Sequence, residues 1–396
     1  MNSEFHPPAR ILMGPGPSNV DPRVLLAMAK PMIGHLDPEF IRIMNNLQNL
    51  LRHVFGTHNP VTIPISGTGS AGMEAAFVNV IEPGDRVLVC INGVFGERMA
   101  DVAERCGAHL HTISAPWGEA FDLEAIHKEL RSFQPKVLAI VHAETSTGVL
   151  QPLEELPAIL KNYPQTLLLV DTVTSLGGHP VKVDEWGIDI CYSATQKCLS
   201  CPPGLAPITF SPKALEKIKN RGKKVQSWYL DMNMVGKYWG NERTYHHTAP
   251  ISMNYALLEA LRVIGEEGLA SRHERHRRNH LALVKGIEAM GLRMLVPEPY
   301  RLWSLNAVSI PQGIDDAKLR QKLLEEYNLE IGGGLGVLKG KIWRVGLMGY
   351  SSSEANVLYF LTALEQTLRE LGFEVPKGTG ATAAREFYCK NKQKKP

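Results

Sequence analysis

Apolar residues recur along the first half of the chain in two periods. Residues 37–54 carry them at helical spacing, with Asp37 placed as N-cap and Pro38 at the first helical position. Val61–Ile65 is a short apolar run that ends in Ser66-Gly67-Thr68-Gly69, after which Gly72–Val80 returns to helical spacing. The alternation continues. Arg86–Ile91 predicts a strand and Arg98–Cys106 a helix. Val137–His142, Thr166–Asp171, Ile188–Ser193 and Ala206–Phe210 predict further strands. Strands apolar on both faces that alternate with helices predict an α/β fold, a mostly parallel sheet covered on each side. Ligands of such sheets bind beyond the carboxyl ends of the strands, so chemistry is sought just after each apolar run.

Past about residue 265 the pattern changes. A basic helix over Leu269–Met290 is followed by Arg301–Ile310, a helix near Asp315–Tyr327, a strand at Lys341–Met348 and a long amphipathic helix over Ser352–Leu371. The expected organisation is an N-terminal arm (1–16), a large domain (17–265), a smaller C-terminal α+β domain (266–375) and a basic, disordered tail (376–396), since that last stretch is Gly/Thr/Ala-rich and then lysine-rich.

Composition changes this picture little. The 396 residues are 44% hydrophobic and 21% charged, which excludes a disordered, collagenous or coiled-coil chain. A net charge of +3 gives no reason to expect nucleic acid as partner. Six irregularly spaced cysteines are no disulfide framework and suit a reducing compartment. No run reaches the roughly 18 apolar residues of a membrane span. The N-terminal segment has no apolar signal core, and Lys394-Lys395-Pro396 is not a peroxisomal address, so a cytoplasmic location is expected, with no membrane partner.

Three strand ends carry candidate chemistry. Gly67-Thr68-Gly69-Ser70-Ala71-Gly72 matches G-x-G-x-x-G, but the next strand ends Cys90-Ile91-Asn92-Gly93 without the carboxylate that a dinucleotide fold requires. What remains is a glycine-rich turn opening a helix, where free N–H groups and a dipole end suit a phosphate. Asp171, at the tip of its strand, is either a helix N-cap or a partner for a protonated heterocyclic nitrogen. Lys197 follows the strand Ile188–Ser193, where a lysine is costly unless paired or used in chemistry such as Schiff-base formation. A phosphate cradle, an acid and a lysine at successive strand ends are the three parts that pyridoxal 5′-phosphate (PLP) requires.

With these residues in view, the sequence resembles the class V (fold type I) PLP-dependent aminotransferases, most closely their alanine–glyoxylate and serine–pyruvate branch. The likeness rests on MGPGPSN (13–19), SGTGSAGMEAA (66–76), EPGDRVLV (82–89), HAETSTGVLQPLE (142–154), LLLVDTVTSLGG (167–178), YSATQK (192–197), PPG (202–204), YHHT (245–248), GGGLG (332–336) and WRVGLMG (343–349). It spans about residues 11 to 370. The resemblance implies a large domain with a seven-stranded sheet, and it implies roles. Lys197 would be the Schiff-base lysine and Asp171 the partner of the pyridine nitrogen. Thr68, Gly69, Ser70 and Gln196 would bind the phosphate. Phe95 stands where the family often has a stacking tryptophan, and Thr145 where it carries a serine near the phenolic oxygen. Val173 would pack on the other ring face. Arg344 would clamp the substrate carboxylate. Tyr245 and Thr248 would reach the phosphate of a neighbouring subunit, implying a homodimer with shared sites. The implied reaction passes an amino group from alanine or serine to glyoxylate, giving pyruvate or hydroxypyruvate and glycine.

Other readings differ in what they need. A cysteine desulfurase needs a nucleophilic cysteine in the second half, and none lies between Cys201 and Cys389. A transaminase for 3-hydroxykynurenine or a ureido-amino acid would share the same motifs, and an NAD-dependent oxidoreductase lacks its acidic residue. Cys198-Leu199-Ser200-Cys201 has no second pair at zinc spacing, so no metal is expected. His273, His276 and His280, on one helical face among arginines, suggest a solvated basic face.

Overall fold

The computed structural model describes residues 6–391. Seven strands form the main sheet: β1 (Val61–Ser66), β2 (Arg86–Ile91), β3 (His109–Ser114), β4 (Val137–Val141), β5 (Leu167–Asp171), β6 (Ile190–Tyr192) and β7 (Leu205–Phe210). Their spatial order is β1-β7-β6-β5-β4-β2-β3. Strand β7 is antiparallel to both its neighbours; the other pairings are parallel. The carboxyl ends of β1, β2, β4, β5 and β6 therefore share one edge of the sheet.

Sequence pattern predicted six of these strands. The seventh, β3, reads HLHTIS and pairs only with β2. None of its six residues is fully buried, so it leaves no continuous apolar run, whereas the opposite edge strand β1 buries four of six.

Helices cover the sheet. The large-domain ones used below are α1 (Pro38–Phe55), α2 (Gly69–Val80) and α3 (Val94–Arg105). In α1 the Asp37 carboxylate accepts from the Glu39 N–H, Gly56 ends the helix at φ +63°, and Phe40, Met44, Leu47, Leu51 and Val54 form the buried stripe. In α2 the buried side is nearly the whole circumference, as befits a helix laid into the sheet beside the site.

Among the described residues there are two large hydrophobic cores and two small clusters. One core gathers residues between Val24 and Ile264. The other joins Met13 with residues from Ala282 to Tyr388. The second is built on α4 (Leu269–Ala289), β8 (Leu305–Ser309), α5 (Asp316–Tyr327), β9 (Gly332–Gly333), β10 (Ile342–Gly346) and α6 (Glu354–Glu370). The N-terminal arm crosses to it: Ile11 and Leu12 pair in parallel with Leu329 and Glu330.

Two expectations are corrected here. The segment after residue 375 is not a loose tail, because Thr379–Lys390 forms a helix, α7, packed on α4 and α6. Gly380, Ala384 and Tyr388, at i, i+4 and i+8, bury one stripe. The Glu365 carboxylate accepts from the Gly378 and Gly380 N–H groups at the helix start, and the Tyr388 hydroxyl donates to Asn279 at 2.8 Å. The stripe is made of small residues plus one aromatic, which composition alone reads as low complexity. Residues 392–396 lie outside the described residues. Tyr388→Ala is expected to destabilise the protein by about 3 kcal/mol and Tyr388→Phe by about 1 kcal/mol. A denaturation midpoint unmoved by either change would return the segment to the role of a passive tail.

The second correction concerns α4. His276 and His280 are buried and His273 is half-buried, so the three do not form a solvated face; Arg272 is buried beside them. The Arg272 guanidinium donates to the carbonyls of Gly177 (3.0 Å) and Cys198 (2.7 Å), His276 Nε2 accepts from the Gly349 N–H (2.9 Å), and His280 meets Asn306 (2.6 Å). Burial lowers His276 well below its ordinary value and His280 to about 4, so both serve as neutral hydrogen-bonding spacers. A polar stripe satisfied by main-chain carbonyls, the Glu267 carboxylate and the Asn306 amide has the same sequence signature as one facing water. Among the described residues no cluster fit for a metal ion occurs.

Candidate active site

Asp171 is the last residue of β5 and is 1% exposed. Its Oδ1 accepts from the Val173 N–H and its Oδ2 from the Tyr192 hydroxyl, each at 2.7 Å. Tyr192 is its register partner on β6, so sheet pairing itself places that hydroxyl. Burial raises the Asp171 carboxyl to about 7 despite both hydrogen bonds.

Lys197 follows β6 by five residues, in a turn held by Thr195, whose hydroxyl donates to the Pro202 carbonyl at 2.7 Å. Ser18 clamps the same turn from the N-terminal arm, its N–H bonding to the Gln196 carbonyl (2.9 Å) and its hydroxyl to that of Lys197 (3.0 Å). The Lys197 stem lies against Gly16, where an added Cβ would come within 2.8 Å of Nζ, and Nζ donates to the Pro15 carbonyl. Burial, reinforced by the positive charge of Arg344, lowers the amine to about 8. A carboxyl near 7 and an amine near 8 can both exchange protons near neutrality, a common mark of functional sites.

The phosphate cradle opens α2. Thr68 is its N-cap in an extended conformation, yet its side chain makes no capping bond. The first-turn N–H groups of a helix have no acceptor within it, so this end presents donors and a positive dipole. Gly69 allows the close approach, since a Cβ there would meet that of Ala194 at 2.9 Å. The hydroxyls of Thr68 and Ser70 flank it, both residues being exposed. Gln196 Oε1 is buried without a partner. Amide O and N exchange by a flip, so this orphaned amide is a donor ready for an anion.

A cavity of about 210 Å³ joins these parts, lined by Thr68, Gly69, Ser70, Met73, Phe95, Arg98, Asp171, Val173, Tyr192, Gln196 and Lys197. The structure thus brings eight sequence-predicted residues to one hole: Thr68, Gly69, Ser70, Phe95, Asp171, Val173, Gln196 and Lys197. An anion donor set, flat apolar walls, an acid and an amine together fit PLP.

The other four predicted residues are not walls of this cavity. Arg344, on β10, is 7% exposed and donates from Nε to Gly333 (2.7 Å) and from Nη1 to the carbonyl of Thr145 (3.3 Å). Burial pulls the guanidinium down to about 10, and the charge of Glu144 opposes that fall. Thr145 is buried, its hydroxyl bonded to that of Thr174. Tyr245 and Thr248 are exposed, and Tyr245 packs on the His35 ring at 5.2 Å. Only His247 of their motif reaches the cradle, meeting Ser66 Oγ at 2.9 Å.

Sequence reasoning missed Met73, Arg98, Tyr192 and Glu144. Arg98 lies over the Phe95 ring at 4.9 Å. Its signal was available: on a helix starting near residue 94, positions 95 and 98 share a face.

The fold and the site define a fold type I PLP-dependent aminotransferase. The aminotransferase class-V family model matches residues 12–357, and the chain belongs to that family. An alanine–glyoxylate aminotransferase from Nostoc sp. is similar in structure at 52% identity and TM-score 0.92, over 93% of this chain and 98% of that one. A ureidoglycine–glyoxylate aminotransferase from Bacillus subtilis superposes with TM-score 0.96 at 43% identity, over 98% and 100%. The alanine–glyoxylate aminotransferase of Mus musculus is 41% identical over 366 residues, 91% of this chain and 88% of its own.

Proposed function

We propose that the protein transfers an amino group from L-alanine, or L-serine, to glyoxylate, yielding pyruvate, or hydroxypyruvate, and glycine. The observation that carries this reading is the convergence of Lys197, Asp171 and the α2 cradle on one cavity. The shared acceptor of the similar enzymes, glyoxylate, supports the substrate class.

Bound PLP supplies an electron sink that makes an amino acid's Cα proton removable. The chain's own residues do the rest. The first turn of α2, with Thr68, Ser70 and Gln196, holds the phosphate. Asp171, once ionised, would keep the pyridine nitrogen charged. Phe95 and Val173 would supply apolar contact for the ring. The Lys197 amine, lowered toward neutrality, would anchor the cofactor and serve as general base for the Cα proton. Arg344 orients the substrate carboxylate with its remaining N–H donors, and Thr145 holds its other side through the main chain.

The active form in this reading is a homodimer with shared sites. Leu25, Leu26, Met32, Trp228 and Tyr245 are 51%, 69%, 68%, 60% and 59% exposed, an apolar set that a second copy would cover. Tyr245 and Thr248 would then face the partner's phosphate. A reducing, cytoplasmic setting is supported by five buried free cysteines. Among the described residues no helix is long and apolar enough to cross a membrane.

Arg344→Ala is expected to raise KM for alanine and for glyoxylate by about 30-fold, the loss of one charge-assisted bidentate contact of about 2 kcal/mol. The substrate assignment is checked by kcat/KM for alanine, serine, (S)-ureidoglycine and 3-hydroxykynurenine against glyoxylate and pyruvate. A preference for ureidoglycine or 3-hydroxykynurenine, or for pyruvate as acceptor, would overturn it, and light scattering at the monomer mass of 43.8 kDa would overturn the dimer.

A further inference from the structure

One wholly buried carboxylate near the cavity has no place in the reaction just described. Glu144 follows β4 and is 0% exposed. No ion pair among the described residues includes it. A charge so buried persists only where hydrogen bonds replace its water.

Four donors do so, in two sets. Oε1 accepts from the Ser146 N–H (3.0 Å) and the Ser146 hydroxyl (2.6 Å). Oε2 accepts from the N–H groups of Phe95 (3.1 Å) and Gly96 (3.3 Å). Ser146 Oγ in turn accepts from the Val94 N–H at 3.0 Å, which commits its own hydrogen to Glu144. Burial raises the Glu144 carboxyl above its ordinary value, and the donors from Ser146, Phe95 and Gly96 oppose that rise, so that both oxygens act as acceptors.

The second set is the first turn of α3. The N-cap of that helix, Gly93, has no side chain to cap it, and a Cβ there would collide with the Glu144 carboxyl. Glu144 is thus the cap, supplied from another strand, with its charge at the positive end of the helix dipole. Helix α3 carries Phe95 and Arg98 into the cavity. On the other side, Thr145 gives its carbonyl to Arg344, and Glu144 is the main charge favouring the guanidinium.

We propose that Glu144 is a positioning residue of the transfer reaction: its carboxylate fixes the Phe95 ring against the cofactor by holding the first turn of α3, and its charge balances Arg344 for the substrate carboxylate. This rests on the PLP-dependent reading and on the roles given there to Phe95 and Arg344.

The test uses full-length protein carrying Glu144→Gln, which keeps length and volume but removes the charge and turns an NH2 group toward one set of donors. PLP affinity is measured by titrating apoprotein, the cofactor's setting by visible circular dichroism, and KM with L-alanine and glyoxylate. Both the PLP dissociation constant and the two KM values are expected to rise about tenfold, the size usual for losing a partner that orients a directly binding group. Glu144→Asp, charged but too short to span both sets, is expected to restore the KM values more than the PLP affinity. A Gln variant with a lowered melting temperature but unchanged PLP affinity, dichroism and KM would make Glu144 merely structural and overturn the proposal. If the Gln variant does not fold, Ser146→Ala is read by the same measurements: weaker PLP binding supports the proposal, and unchanged binding and KM overturn it. Wild-type protein that fails to bind PLP or to transaminate would instead sink the underlying functional reading.

Discussion

Lys197→Ala protein is expected to lose its borohydride-reducible link to PLP and to fall in kcat/KM on the order of 10⁴-fold, because in the proposed reaction one side chain would serve as both covalent anchor and general base. The structure explains why this lysine is suited to both tasks. An ordinary lysine amine is less than about 1% unprotonated at pH 8. Burial and Arg344 lower Lys197 to about 8, so near that pH half of the amines are free to attack a carbonyl carbon or accept a proton. The cavity around it is preserved in the variant, since Gly16 and the Ser18 clamps act on the main chain or on the space the stem leaves. PLP should therefore still bind, held by the α2 cradle, but without a covalent link. A variant that still forms a reducible adduct, or that keeps a tenth of the activity, would remove Lys197 from this role.

Asp171→Asn is expected to separate activity from stability. Asparagine fits the site sterically: its oxygen can accept from the Val173 N–H, and its amide can donate to the Tyr192 hydroxyl, which reverses. The ring nitrogen loses its counter-charge, so kcat/KM should fall by about 10³-fold or more, the range of an electrostatic contact made where charge develops. The apoprotein should gain stability. Burial raises the folded-state Asp171 carboxyl from an ordinary value near 3.8 to about 7, with the charge of Glu144 adding to the rise and that of Lys197 and the Tyr192 hydroxyl opposing it. A carboxyl raised in the folded state costs nothing below its unfolded value and costs progressively more as pH rises to the folded one, at about 1.4 kcal/mol per pH unit. The melting temperature of the asparagine apoprotein should thus exceed that of wild type by a margin that grows between about pH 4 and pH 7 and then levels off. A margin independent of pH, or activity within tenfold of wild type, would show that Asp171 is not a buried carboxylate held for the ring.

In the proposed reaction a cofactor cation beside Asp171 would relieve this destabilisation, an exchange of stability for function at an active site. Tyr192 and Val173 contribute to the same end. They keep the carboxylate solvated enough to ionise once a positive ring nitrogen arrives.

How much of this was legible beforehand follows from where each residue gets its partners. Asp171, Lys197 and the Thr68–Ser70 turn stand at strand ends, and strand ends are visible as the termini of apolar runs. The YHHT motif was recognisable as sequence, but Tyr245 and Thr248 are exposed and are not walls of the cavity, and only in the proposed dimer would they face a second copy. Glu144 carried no local signal, because its task is defined by a helix start some fifty residues earlier in the chain. The face of His273, His276 and His280 was visible as a periodicity, yet its surroundings were not: protein groups and a water molecule satisfy the same donors, and only the structure adds Arg272 to the buried stripe and leaves His273 half-buried.

By itself the sequence determined the alternation of apolar strands and amphipathic helices, the mostly parallel sheet this predicts, and the three chemical groups placed at its carboxyl edge, since these depend on period and composition within short stretches; the antiparallel placing of β7 was not legible there. Only the tertiary structure decided that β3 closes the sheet as an edge strand, that α7 belongs to the second core, that the arm with Gly16 lies against Lys197, and that Asp171 and Lys197 titrate near neutrality. Each of these is set by burial and by contacts between residues far apart in the chain, and neither desolvation nor distant packing leaves a mark on local sequence pattern.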